Sequence, residues 1–183
     1  MRKAVMMGVV GLLAFLLGGC SSVPSDPRAV LEEKAATIDA AVQDLFETLA
    51  VAGLHHVSAA SAVDTCQSEP APGVSYRAGM TVKAGEDLAG GFDALVKQLD
   101  AAGWKSTDAY RDVKIDPARP MGRFVRDDIT LDVKTGGASS GGVWYGADEM
   151  QLGVTIDDDC VRVPDGGYIS KVEDLGKDIL PRS

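Results

Sequence analysis

From Ala4 to Leu17 the chain carries no charged or polar side chain, and Arg2 and Lys3 stand immediately before that run. A short basic start followed by an apolar stretch is the pattern of a secretory leader. A helix that crosses a membrane needs roughly 20 apolar residues. This run ends sooner, at Gly18-Gly19-Cys20 and then polar Ser21-Ser22. No other segment constrains the fold as much. It takes the start of the chain out of the folded domain and sends the remainder to a compartment where thiols oxidise. Arg2-Lys3 is not a twin-arginine pair, so Sec-type export is expected.

The tetrapeptide Leu17-Gly18-Gly19-Cys20 resembles the lipobox of bacterial lipoproteins. The resemblance implies cleavage of residues 1–19 and a lipid, of palmitate type, on Cys20. Residues 20–26 would then be a lipidated tether and the cell membrane, on its outer face, the location. Each buried CH₂ contributes about 0.8 kcal/mol, so two or three acyl chains hold firmly where one does not. Cleavage removes Arg2 and Lys3 and no acid. The remaining 164 residues carry 16 basic and 27 acidic side chains, a formal charge of −11 in place of −9. That balance argues against nucleic acid and against direct adhesion to anionic lipid.

With Cys20 set aside, Cys66 and Cys160 form an even pair, expected to be one disulfide. There is no C-x-x-C, and His55-His56 with two distant cysteines has no zinc-like spacing, so no metal or cofactor is expected.

Asp26-Pro27 reads as a helix N-cap followed by proline at the first helical position. Leu31, Ala35, Ile38, Val42, Leu45 and Leu49 then recur at intervals of four and three until Gly53. A short strand and a loop are expected over 54–71. Val74, Tyr76, Ala78, Met80 and Val82 alternate as a strand with one buried face. A second helix carries Leu88, Phe92, Leu95, Val96 and Leu99, with Gly103 as its terminator and Trp104 leading back into the sheet. Ile129, Leu131 and Val133, then Met150, Leu152, Val154 and Ile156, read as two strands of a hairpin. A continuation of the second would aim Cys160 at the covered face. The expected architecture is α+β, a single domain over 27–168 in which two helices pack on one face of an antiparallel sheet. Residues 169–183 are expected to be a loosely held tail.

Gly137-Ala138-Ser139-Ser140-Gly141 fits the G-x-S-x-G pattern of a hydrolase nucleophile elbow. That elbow needs a strand before and a helix after, with its histidine following the serine, and here both histidines precede it. The match is read as chance and no enzyme is expected. Asp157-Asp158-Asp159 lacks the alternate spacing and distal glutamate of a calcium loop. Of His55-His56, adjacent on a strand, one is expected to be exposed and the other packed. Trp144-Tyr145, beside a glycine-rich loop, is the candidate contact point for a protein or sugar.

The leader and Cys20, the long helix, a second helix ending in Ala101-Ala102-Gly103-Trp104, the hairpin and two distant cysteines together resemble the small uncharacterised lipoproteins of actinobacteria, including mycobacterial ones. The resemblance implies a location and a fold, and brings no binding residues with it. Two readings stand open: a non-catalytic accessory lipoprotein that meets another envelope protein, or a module that encloses a lipid or other apolar ligand between sheet and helices.

Overall fold

The computed structural model describes residues 23–110, 116–136, 139–140, 143–144 and 146–180. The chain begins with helix α1 (Pro27–Val51), then strands β1 (His55–Gln67) and β2 (Gly73–Lys83), and helix α2 (Leu88–Ala101). Next come β3 (Lys105–Ser106), β4 (Met121–Arg126), β5 (Ile129–Thr135) and the short pair β6 (Ser139–Ser140) and β7 (Val143–Trp144). Strands β8 (Glu149–Ile156) and β9 (Val161–Arg162), two 3₁₀ turns (Gly166–Lys171 and Glu173–Leu175) and β10 (Asp178–Leu180) complete it. The main sheet has the order β10-β1-β2-β8-β5-β4-β3, with β9 alongside β2. Its strand pairs are all antiparallel. The architecture is α+β, with an antiparallel sheet and two main helices in one domain.

Both helices start and stop by the same chemistry. The Asp26 carboxylate accepts from the Ala29 N–H at 3.1 Å and the Asp87 carboxylate from Gly90 N–H at 2.9 Å, each satisfying a donor that the first turn leaves unpaired. At the far ends Gly53 and Gly103 adopt φ of 74° and 88°. The Leu54 N–H then reaches Leu49 C=O, and Trp104 N–H reaches Leu99 C=O, both at 2.9 Å. This is the Schellman arrangement, which turns the chain through a left-handed residue and folds the following apolar side chain back onto the helix. Leu54 and Trp104 are accordingly buried.

The stripe of α1 is fully buried at Leu31, Ile38, Val42 and Leu45. It packs in one cluster with Tyr76, Met80 and Val82 of β2, Leu131 and Val133 of β5, and Met150, Leu152 and Val154 of β8. Each such side chain contributes roughly 1.5–3 kcal/mol by leaving water. The hairpin alternation holds: Leu131 pairs with Val154 and Val133 with Leu152.

Several expectations are corrected. The stretch over 54–71 is mostly one thirteen-residue strand, β1. Its period was hidden because the covered positions include Ala59 and Ser61, and because register shifts near Val57 and Cys66 each move one residue out of alternation. Strand β8 stops at Ile156. Cys160 follows a turn through Asp158, whose φ is 53°, and immediately precedes β9. Residues 169–180, expected in the tail, are part of the fold. Val172 is fully buried, Leu180 pairs with Ala59, and Lys177 C=O accepts from the Ser61 N–H at 2.8 Å. An isolated apolar residue such as Val172 gives no period in the sequence, and only its partner strand shows why it is covered. Strand β4, joined to β5 through Asp127-Asp128, was not anticipated.

Candidate functional site

Helix α2 sits over the β3–β4 margin of the sheet, where two of its apolar side chains stay partly uncovered. Phe92 and Val96, one turn apart on α2, are half-buried, while Trp104 and Phe124 below them are buried. The Phe92 and Phe124 rings lie 6.4 Å apart, tilted by 48°. Gly122 lies under both: a Cβ there would stand 2.9 Å from Phe124 Cε2 and 3.1 Å from Phe92 Cζ. Any other residue would push one ring aside, so the glycine shapes the surface.

Two adjoining concavities result, sharing Val96, Ser106 and Phe124. One, of about 360 Å³, lies over Phe92, Gly122, Met121 and Tyr110. The other, of about 460 Å³, is floored by Trp104 and edged by Asp93, Lys97 and Asp100. The Arg126 guanidinium stands 4.7 Å from the Trp104 ring centroid and is held by Asp44 at 3.1 Å. That contact fixes the indole plane. A separate, more open hollow between the C-terminal turns of α1 and α2 is lined by Asp44, Glu47, Val51, Gln98 and Arg126. The larger concavity of this groove thus has buried Trp104 and Phe124 beneath it and Asp93, Lys97 and Asp100, the last paired with Lys105 at 3.2 Å, around it.

A polar cluster stands on the uncovered face nearby. Arg123 grips both carboxylate oxygens of Asp132 at 2.8 Å, and the Tyr110 hydroxyl donates to the same group at 2.9 Å. Burial works to raise the Asp132 pKa, but the hydrogen bonds from Arg123 and Tyr110 outweigh it and hold the carboxyl below its ordinary value. On the covered side, the buried Tyr76 hydroxyl donates to Asp39 at 2.7 Å, and Lys177 pairs with the other oxygen at 2.7 Å. Burial, with Asp39 adding to it, pushes the Tyr76 phenol well above its usual range.

Of the residues singled out from the sequence, Cys66 and Cys160 are joined in a disulfide, with Cα atoms 5.7 Å apart. The bridge lies against Gly73, where a Cβ would stand 2.6 Å from the Cys160 Sγ. Cys20 and Tyr145 lie outside the described residues, as do Gly137, Ala138 and Gly141 of the serine motif. Ser139 and Ser140 form β6 and pair with Trp144 and Val143, so the described chain after the serines continues as a strand. Trp144 is placed by its backbone in β7. His55 is exposed, and His56 packs edge-on against Phe46 at 4.8 Å. In the aspartate run, Asp157 accepts from Thr130 and the Asp158 carbonyl accepts from Lys34. Burial raises the Asp159 pKa, against the nearby charges of Lys34 and Arg77. Among the described residues no group of three or more His, Cys, Asp or Glu is arranged to hold a metal, and no helix is long and apolar enough to cross a membrane.

The groove itself was not legible. Phe92 and Val96 read as part of a core-facing stripe, and nothing in their spacing tells that the sheet ends beneath them. The side chains between α1 and the middle strands have near-zero exposure, and the two concavities over Phe92 and Trp104 stand at the sheet's margin.

No protein-family model matches this chain, and neither a curated protein nor a solved structure shows significant similarity to it.

Proposed function

We propose that this protein is an exported lipoprotein, held on the outer face of the cell membrane through lipid on Cys20, whose domain does non-catalytic work by gripping another envelope protein. The observation that carries the contact role is the pair of concavities beside α2, where half-buried Phe92 and Val96 stand over buried Trp104 and Phe124. Buried aromatic anchors in pockets are what concentrates binding energy at protein interfaces. The location is supported by the leader before Cys20 and by the Cys66–Cys160 disulfide, a bond typical of oxidising compartments.

The test is made in cells. A photo-crosslinking amino acid replaces Val96, in the groove, or Thr81, on the uncovered face of β2, and the intact mass of the purified chain is measured alongside. The reading expects a diacyl or triacyl mass on a chain starting at Cys20 and adducts at position 96 alone. An unacylated or uncleaved chain removes the anchor. Equal adducts at both positions, or none, remove the groove as the contact.

A further inference from the structure

We infer that residues 166–180 form a strap that opens as a unit while the rest of the domain stays folded, and that the strand position it vacates on β1 accepts an extended segment with lysine or arginine three residues before a large aliphatic side chain. This edge of the sheet is the one opposite the margin beneath α2, so the inference does not rest on the contact proposed there.

The strap is held lightly for its length. From Gly166 to Leu180 only Val172 and Leu180 are buried, with Tyr168, Ile169, Leu175 and Ile179 packed partly against the core. Neither 3₁₀ turn buries a residue. Among the described residues β10 pairs with β1 at two positions, Ala59 with Leu180 and Ala60 with Asp178, and the register shifts between them. The Arg28 guanidinium donates to the Lys171 C=O at 2.8 Å and to the two Asp174 carboxylate oxygens at 3.0 and 2.8 Å. Both of those side chains are exposed, so water competes for the pair. A segment with few buried apolar contacts and solvent-exposed ties opens more readily than the whole domain unfolds.

The body it leaves is fixed on both sides of the break. Pro164, Asp165, Gly166 and Gly167, all exposed, form the hinge. Just before them Val161 and Val163 are buried, the Val163 N–H donates to the Pro72 C=O at 3.0 Å, and Cys160 is joined to Cys66. Opening therefore stops at Val163 and does not reach β8. Strand β1 in turn stays paired with β2 from His55 to Gln67.

The contacts of the closed strap define what can take its place. The Ser61 N–H donates to the Lys177 C=O at 2.8 Å, and the Lys177 N–H donates to the Ser61 Oγ at 3.2 Å. With the strap away, β1 presents these groups as a sheet edge, the template to which an extended segment adds. The Lys177 ammonium holds Asp39 at 2.7 Å, and the Asp39 side chain is 17% exposed. A strand that covers this carboxylate again without a cation buries a charge held by the Tyr76 hydroxyl alone. Leu180, three residues after Lys177, is buried beside Ala59 and sets the aliphatic position.

The purified full chain is followed by hydrogen exchange with mass spectrometry. Arg28→Gln and Asp174→Asn cut the same ion pair from its two ends. Each should speed exchange several-fold throughout the strap, β10 included, and leave β5 and β8 unchanged. A fluorescent peptide Leu-Gly-Lys-Asp-Ile-Leu copies residues 175–180 and omits Asp174, so that it does not read Arg28 directly. It should bind both variants several-fold more tightly than the unaltered chain, because the open fraction sets its apparent affinity. Its glutamate-for-lysine twin should bind about tenfold more weakly or worse. The inference is overturned if exchange rises around position 174 and not in β10, or if either variant speeds β5 and β8 as much as the strap. It is equally overturned if the peptide binds neither variant better than the unaltered chain, or if the glutamate twin binds as well as the lysine peptide.

Discussion

Removing the disulfide should cost this domain several kcal/mol, almost all of it through the unfolded chain. Cys66 and Cys160 are 94 positions apart, and closing a loop of that length removes unfolded-state entropy worth about 4 to 5 kcal/mol at 25 °C. The folded side loses little. Cys66 is exposed, and the bridge sits over Gly73 on the rim of the sheet, outside the cluster around α1. Replacing both cysteines with serine therefore opens no large cavity. The expected loss is about 4 kcal/mol, which for a domain of this size lowers Tm by roughly 8–16 °C. Urea unfolding of residues 23–183, followed by circular dichroism, gives both stability and m. Without the cross-link the denatured chain expands, so m should rise as the midpoint falls. Each single replacement should match the double one, since either breaks the same bond. A loss below about 1 kcal/mol with m unchanged would refute the entropic account and leave the bridge without a staple's role.

Gly73→Ala should impair formation of that bridge, because the new Cβ meets the Cys160 sulfur at 2.6 Å; thiol titration after oxidative refolding should find free cysteines, and complete oxidation would contradict the packing. Asp132→Asn should cost stability at neutral pH and less in acid. The folded pKa of Asp132 is depressed, so its contribution is present above the unfolded value near about 4 and is lost as pH falls through the folded one. A stability difference that stays constant from pH 7 to pH 2 would disprove it. Tyr76→Phe removes the buried hydroxyl that donates to Asp39 and should cost about 1 to 2 kcal/mol, measured by the same urea titration.

Elements that carry a period were legible from the residues alone. Helix α1 repeats its apolar positions over seven turns with Asp26 and Gly53 as punctuation, and β5, β8 and β2 from Tyr76 onward alternate because one of their faces is covered. These are local consequences of backbone geometry, so a single chain displays them. The partnership of Cys66 with Cys160 was legible for a different reason: two cysteines in an oxidising compartment leave one pairing. The count demands the bond, while its position over Gly73 does not follow from it.

What lacked a period waited for its neighbours. β1 hides its alternation behind Ala59, Ser61 and two register shifts, and β10 earns its place in the sheet only by lying beside Ala59 and Ala60. The groove belongs to the same class. Phe92, Val96, Trp104, Gly122 and Phe124 are spread over more than thirty positions, and each has a sufficient local explanation as core or turn. Only where α2 overhangs the last strands do they become one surface, because burial depends on which element ends first, and that is decided by packing across the whole sheet. The sequence by itself determined the helices, the alternating strands and the cysteine pair; the tertiary structure alone decided that Phe92 and Val96 stay half-buried at the sheet's margin while Trp104 and Phe124 are covered.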